Sequence, residues 1–364
     1  SGQRVGIGTM SAFIADGAIR LLSMGRGVPG EGVTTETLID SLASFCGSTS
    51  ARKARALAHR LGIEHRYLSR DLNHADAAML PGCDAPSLCH NALRAALDDV
   101  GESIAQVEYL LGPTTSPPTL RPPNIAWVAE AMDYPAPYME LRQACTGFAN
   151  ALQIANAMIA ANGLQRVAIV GSETGSSYFN ADSSFLSDGQ LVNYVQMGDG
   201  AAAALLGPDD GSGRNLISDL FIGHIGNDMV PGLSLSGGGS AAPNCEHGMP
   251  VFDHEPDGVR QAGPKLFELG LDAIKSRGYQ LDDFAYVIPH QANGRLAAPL
   301  ARYLNIDKQR IYVTANQYGN LGSAAIWMAL HDLREADLLA SGDRVLILGA
   351  EATKYLYGGF VYTH

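Results

Sequence analysis

The chain has 364 residues, 46% hydrophobic and 17% charged, so it is globular and long enough for two domains or one large α/β unit. A formal charge of −12 excludes a general nucleic-acid binder, which needs an excess of Lys and Arg, but leaves room for an acidic protein partner on a locally basic face. No uncharged apolar run approaches the length of a membrane span, so no membrane role is expected.

In chain order, the opening Ser1-Gly-Gln-Arg-Val-Gly-Ile-Gly8 enters a strand-like run at once and carries no basic, then apolar, leader signature. Residues 3–14 read as a first strand and its exit, and 25–32 as a Gly/Pro-rich loop. Helices are expected over 34–43, 49–61 and 84–100, then a buried strand over 107–111. Residues 113–123 form a proline-rich rigid loop, followed by a helix over 124–132. A strand is expected over 166–170, and Gly198-Asp-Gly200 opens an alanine-rich strand over 201–206. Pro208-Asp-Asp-Gly-Ser-Gly213 is the best boundary between two halves, 1–210 and 211–364. Beyond it, 234–250 reads as a surface loop and 257–277 as a long helix with Val259, Leu266, Leu269 and Ile274 in its core face. Strands over 284–289, 311–314 and 344–348 alternate with helices over 293–303 and 323–338.

Five cysteines (Cys46, Cys83, Cys89, Cys145 and Cys245) at irregular spacing suit reduced thiols in a cytoplasm. Cys83 with Cys89-His90, and Cys245-Glu-His247 with His254, match no zinc spacing, so no metal is expected. Cys145 is the informative one. It lies in Arg142-Gln-Ala-Cys-Thr-Gly-Phe148, between the apolar run Tyr138-Met-Glu-Leu141 and a helix-like segment from Phe148. A sulfur at such a corner is held in one place, and the helix N-terminus favours a thiolate. A lone cysteine is more often a small buried hydrophobe; the second half of the chain changes that balance.

Val167-Ala-Ile-Val-Gly-Ser-Glu173 and Val345-Leu-Ile-Leu-Gly-Ala-Glu351 are nearly the same heptapeptide, 178 residues apart. The same offset lays 107–111 on 285–289, Gly112 on His290, and Cys145 on Ser323. Three elements in register indicate two copies of one α/β unit. Two such units packed about a pseudo-twofold axis would gather Cys145 from one copy with His290 and Asn320 from the other.

With Ala144-Cys-Thr-Gly-Phe148, Pro289-His-Gln-Ala-Asn293 and Gly319-Asn320 in this order, the chain resembles the β-ketoacyl-ACP synthase III family of the thiolase superfamily. The resemblance covers essentially the full length, including Gly198-Asp-Gly-Ala-Ala202 and Leu61-Gly-Ile63 followed by Arg66. It implies an α/β fold of the duplicated thiolase-like kind, five-layered α-β-α-β-α, in agreement with the repeat. It implies Cys145 as the nucleophile that takes an acyl group from a CoA thioester, and His290 with Asn320 as the pair on the malonyl thioester oxygen. Loss of CO2 from malonyl-ACP leaves an enolate that needs two fixed donors, each typically worth ~3 kcal/mol in the transition state. The acyl oxyanion would be held by the N–H of Cys145 and one from the active-site loop Gly349, Ala350, Glu351. Arg60, Asn293 and Arg295 would contact CoA or the acyl carrier protein; Arg302 lies on the same basic face. The resemblance further implies no cofactor beyond the thioester substrates, a homodimer, and a cytoplasmic site of action.

Four departures stand out. Ala56 replaces the family's adenine-stacking tryptophan, and Trp327 replaces a proline. The glycine-rich C-terminal loop becomes Gly349-Ala-Glu-Ala-Thr-Lys-Tyr-Leu-Tyr-Gly358, which puts Glu351 and Lys354 at the active-site wall or pairs them. The loop that reaches the partner's acyl pocket in the family is Thr119-Leu-Arg-Pro122 here. Leu120 pointing in would suit an alkyl primer, whereas Arg121 would suit a polar or carboxylated one. These changes suggest a specialised, polyketide-type paralogue rather than the housekeeping initiator of fatty-acid synthesis.

The leading function is therefore decarboxylative Claisen condensation giving 3-ketoacyl-ACP and CO2. Its alternatives are an acyltransferase or thioesterase of the same fold, and a non-catalytic partner subunit of a heterodimeric synthase. A Cys–His hydrolase outside the family would leave the duplication unexplained.

Overall fold

The computed structural model describes residues 3–7, 10–74, 77–183, 186–245 and 248–364. The chain opens with β1 (Gln3–Ile7) paired antiparallel with β2 (Met10–Ala15), followed by β3 (Ile19–Gly27). β4 (Val33–Thr34) leads into α1 (Thr35–Leu61) and pairs with β5 (His65–Arg66). Next come α2 (Ala85–Val100), β6 (Tyr109–Pro113), α3 (Asn124–Ala131) and β7 (Tyr138–Leu141). They are followed by α4 (Gly147–Asn162), β8 (Val167–Thr174), α5 (Asp188–Gln196) and β9 (Asp199–Pro208). The chain then runs through β10 (Leu216–His224), β11 (Leu233–Ser236), β12 (Val251–His254), α6 (Pro256–Lys275) and β13 (Tyr286–Pro289). It ends with α7 (Ala297–Leu304), α8 (Ala315–Tyr318), α9 (Ala325–Glu335), β14 (Arg344–Glu351) and β15 (Leu356–Thr363).

Helix ends follow local chemistry. The Asp84 carboxylate accepts the Ser87 N–H at 3.0 Å to start α2, and Gly101 and Gly163 close α2 and α4 in the left-handed region.

The strand order β13-β14-β15-β10-β3-β9-β8-β6-β7 contains the same pattern twice. From β3 outward the pairings are antiparallel (β9), antiparallel (β8), parallel (β6) and parallel (β7). From β10 outward they are antiparallel (β15), antiparallel (β14), parallel (β13), then a parallel bridge from Val287 to Ile311. β10 joins the two sets through a short antiparallel pairing with β3, Leu216 opposite Arg20 and Ile217 opposite Ile19.

The apolar clusters define five layers. α2 and α3 pack on the outer face of the β3–β7 set through Leu88, Leu93, Ile125 and Val128. α6 and α7 do the same for the β10–β13 set through Leu266, Ile274, Leu300 and Leu304. Between the two sets lie α4 and α9, with Phe148, Leu152, Trp327 and Leu330 all at 0% exposure. The residue that stands in place of proline, Trp327, is thus a central core side chain, edge-on to Phe148 and tilted against Phe360. Strands buried on both faces read as continuous apolar runs, which is why β8 is buried along its whole length.

Several expectations need correction. β3, β10 and β15 were not evident from periodicity, although they lie at the middle of the sheet. Gly25 and Gly27 belong to β3, not to a loop; α2 runs so close that a Cβ at either would overlap the Ala92 or Leu88 carbonyl. The helices expected over 34–43 and 49–61 form one segment broken at Gly47 (φ 82°, ψ 165°). Residues 311–314 contribute one bridge, not a strand. The helix expected from Asn293 begins only at Ala297, because the Asn293 side chain takes the Arg295 N–H at 2.8 Å in a local turn. The loop expected over 234–250 starts and ends in a two-stranded ribbon, β11 with β12. Residues 349–351 continue β14, paired with Gly358, Tyr357 and Leu356, so they are strand and not loop. Glu246 and His247 of the Cys245-Glu-His247 group lie outside the described residues, and among those described no His, Cys, Asp and Glu cluster could hold a metal. No described helix is long and apolar enough to cross a membrane.

Candidate active site

β7 ends at Leu141 and α4 starts at Gly147, leaving Cys145 in the short corner between them, 5% exposed. The corner is tied down on both sides. The Gln143 amide donates to Thr146 Oγ1 at 2.9 Å and accepts from Asn150 Nδ2 at 2.5 Å. The Thr146 N–H and hydroxyl both donate to Glu351 Oε2, at 2.9 and 2.7 Å, and the Thr353 hydroxyl donates to Oε1. A carboxylate from β14 thus sits on the N–H of Thr146, the N-cap of α4, where the helix dipole favours negative charge.

This geometry reverses the expectation of a resting thiolate. Burial first, then the charges of Glu351 and Glu173, push the Cys145 thiol well above its ordinary range. The helix terminus that would have stabilised the thiolate is already occupied by Glu351. Glu351 and Lys354 do not pair: Lys354 Nζ donates to the Met229 carbonyl.

His290 follows β13, its N–H on the Leu348 carbonyl at 2.8 Å. The next residue explains the rigidity of this turn. Gln291, 2% exposed, accepts from the Thr314 and Ala315 N–H groups at 2.6 and 3.1 Å and donates to the Tyr312 carbonyl at 3.0 Å. Burial lowers His290 to about 4, so the ring is neutral at pH 7, and its Nδ1 is buried without a hydrogen-bond partner among the described residues. Asn320 follows Gly319 (φ 71°), where a Cβ would come within 2.6 Å of the Gln196 carbonyl. Asn320 Oδ1 accepts the Gly322 N–H at 3.0 Å, which leaves the amide Nδ2 as a donor with no partner among the described residues.

Two cavities meet at these residues. The first, of about 260 Å³, is lined by Cys145, Asn320, Arg142, Glu173, Tyr178 and the ribbon residues Leu235 and Phe252, among others. The second, of about 320 Å³, is lined by Cys145, His290, Asn320, Ala350 and Glu351 at one end and by Arg60, His254 and Asn293 toward α1 and β12. Cys145 and Asn320 line both.

The structure therefore brings Cys145, His290, Asn320, Ala350, Glu351, Arg60 and Asn293 to one connected site. Gly349 lies one residue further back in β14, where a Cβ would meet the Phe148 ring at 2.7 Å. Arg295 lines neither cavity; its stem lies over Gly62. Leu120 (70% exposed) and Arg121 are on the surface and line neither cavity of their own chain. Val259 of α6 faces the second cavity instead of the core. Sequence reasoning missed Arg142, Glu173, Tyr178, Asn193 and His254 as wall residues. Only Glu173 carried a signal, as the counterpart of Glu351 in the repeated heptapeptide.

Comparison with known proteins gives the same assignment. Residues 139–223 match the family model for 3-oxoacyl-[acyl-carrier-protein] synthase III, and residues 274–362 match its C-terminal model. The β-ketoacyl-[acyl-carrier-protein] synthase III of Nitratidesulfovibrio vulgaris is 30% identical over 298 residues, covering 79% of this chain and 83% of that one. The enzyme of the same name from Rubrobacter xylanophilus is 28% identical over 335 residues, 91% of this chain and 94% of the relative. Among solved structures, the tetronic acid condensing enzyme AbyA1 superposes with a TM-score of 0.79 at 23% identity, over 95% of this chain and 100% of that one, a likeness of fold. The chain belongs to the β-ketoacyl-[acyl-carrier-protein] synthase III family of the thiolase superfamily and is a condensing enzyme of the acyltransferase type.

Proposed function

We propose that Cys145 carries the acyl chain, that the first cavity holds that chain, and that the second admits the pantetheine arm of first acyl-CoA and then malonyl-ACP. The observation that supports this reading best is that Cys145 and Asn320 line both cavities.

In the first half-reaction Cys145 Sγ attacks the thioester carbonyl. The Sγ–C bond forms, the C–S bond to CoA breaks, and the thiol proton leaves on CoA by way of neutral His290. In the second, the bond from the malonyl methylene carbon to its carboxylate breaks and CO2 departs. The electron pair becomes an enolate whose oxygen accepts from His290 N–H and Asn320 Nδ2. Two fixed donors in a site shielded from water stabilise that charge by ~3 kcal/mol each. The enolate carbon then attacks the acyl carbonyl. Sγ leaves as thiolate, takes a proton from solvent, and 3-ketoacyl-ACP is released.

A His290 Nδ1 and an Asn320 Nδ2 without partners among the described residues suit enolate chemistry, which favours condensation over plain acyl transfer or a non-catalytic role. Arg60, at the outer part of the second cavity, would meet CoA phosphates or an acidic carrier, and Asn293 the pantetheine amides. A homodimer would bring Leu120 and Arg121 to the partner's first cavity. The substrates carry the chemistry without a cofactor, and the reaction belongs in the cytoplasm, where thioesters and carrier protein meet. The test is product formation from acyl-CoA and malonyl-ACP. The wild type should release one CO2 per 3-ketoacyl-ACP, and Cys145→Ser should form none; product from the variant would refute the assignment.

A further inference from the structure

Among the described residues the first cavity is lined by two charged side chains, and they differ in how far protein groups already satisfy them. Glu173 accepts from Thr115 N (2.8 Å), Thr115 Oγ1 (2.8 Å), Ser116 Oγ (2.9 Å) and Thr114 Oγ1 (3.4 Å), and the Ser323 N–H also bears on it. Two carboxylate oxygens offer about four acceptor sites, so Glu173 is filled. Arg142 is the reverse. Its side chain is half exposed, its one ion pair among the described residues is with Glu140 at 3.7 Å, too long for a hydrogen bond, and no described group accepts from its guanidinium, so only solvent answers it. Glu140 is itself held by the Ile125 N–H at 3.3 Å and is largely buried, so it is not free to close that gap. Arg142 lines the cavity three residues before Cys145, and its charge reaches Tyr178, another lining residue. Met197, Leu233, Leu235 and Phe252 give the same cavity an apolar surface.

Resting on the function proposed above, we infer that the first cavity selects short acyl thioesters with a carboxylate at the far end, and that Arg142 is the residue that reads it. The methylenes lie on Met197, Leu235 and Phe252 while the carboxylate takes two parallel N–H donors from the planar guanidinium, the pairing in which arginine excels. A plain alkyl chain of equal length would displace water from the half-exposed guanidinium and offer it no acceptor in return. The substrate class is thus the monothioester of a dicarboxylic acid. Arg121, the arginine singled out from the sequence, is not the one that lines this chain's cavity.

The test is the rate of Cys145 acylation, read by mass, with succinyl-, glutaryl- and adipyl-CoA against butyryl-, valeryl- and hexanoyl-CoA. In each case the Sγ–acyl bond forms as the bond to CoA breaks, and the proton leaves on CoA. The wild type should favour the carboxylated member of at least one pair by about tenfold or more, and Arg142→Gln should lower that ratio by about tenfold or more. Arg142→Lys should retain part of the preference, since charge survives but the bidentate fork does not. A wild type that prefers every alkyl chain overturns the inference while leaving the condensing-enzyme reading intact; so does a ratio unchanged in Arg142→Gln. No acylation from any thioester overturns both.

Discussion

Glu351 holds the backbone N–H and the hydroxyl of Thr146 on one carboxylate oxygen, at 2.9 and 2.7 Å, and so places a negative charge beside the thiol of Cys145. The repeat gives this contact a counterpart: Glu173, at the equivalent end of β8, bears on the N–H of Ser323, the residue that matches Cys145. Each copy thus sends a glutamate from its strand to the helix start of the other. For the thiol the consequence is a suppressed thiolate. Alkylation of Cys145 by iodoacetamide, followed at the peptide level, should keep rising past pH 9 in the wild type. Glu351→Gln removes one of the charges that raise the thiol, so its profile should move to lower pH and its rate at pH 8 should increase. An unchanged or slower rate would contradict this account of Glu351.

The two donors of the site should separate kinetically. Asn320→Ala removes an enolate donor but no partner of the thiol, so the acyl-enzyme should form and accumulate while condensation falls by about 10²- to 10³-fold. His290→Ala should slow both half-reactions, because the ring accepts the thiol proton and then donates to the enolate. Rapid-quench measurement of acyl-enzyme and product distinguishes them; equal loss of acylation in both variants would argue against the division of labour.

Neutral His290 also sets a pH signature on stability. Its pKa is near 4 in the folded chain and about 6.5 when unfolded, so the unfolded state binds the proton first as pH falls. Stability therefore drops between pH 6.5 and 4 by up to roughly 3 kcal/mol from this group, and no further below. His290→Asn should lack that component. Denaturant melts at pH 7, 5.5 and 4.5 should show the variant gaining on the wild type toward acid; parallel profiles would show that the ring is not buried neutral.

The fold and the site are not equally legible in the sequence. The halves declared themselves through a repeated heptapeptide, and Cys145, His290 and Asn320 through small, punctuating neighbours with a steric or hydrogen-bonding task, such as Gly319 and Gln291. The central strands β3 and β15 are hidden because Gly25, Gly27, Gly358 and Gly359 imitate loops, whereas they are the positions where a neighbouring helix or strand comes too close for a side chain. The cavity walls were hidden for a different reason. Phe252 and His254 reach the site from a ribbon more than a hundred residues after Cys145, and no local period marks a side chain as facing a void. Arg142 stands in the stretch around Cys145, yet only the structure shows that no described side chain accepts from its guanidinium.

Gly322 provides a stability test of the glutamate arrangement. It sits at φ 51°, and a Cβ there would overlap Glu173 Oε2, which its donors hold in place. Gly322→Ala should cost roughly 3 kcal/mol, combining left-handed strain with the clash. Gly163→Ala, at φ 71° with no described atom within 4 Å of the added Cβ, should cost only the strain, about 1 kcal/mol. Equal costs from chemical denaturation would mean that Glu173 gives way.

The central claim is that Cys145 carries an acyl group that only a decarboxylating malonyl unit removes. Intact-protein mass spectrometry after mixing with acyl-CoAs, before and after addition of malonyl-ACP, tests it most directly. The account predicts a stable adduct that maps to Cys145 and is discharged as 3-ketoacyl-ACP when malonyl-ACP arrives. An adduct on another residue, or one that discharges to water with no loss of CO2, would contradict it.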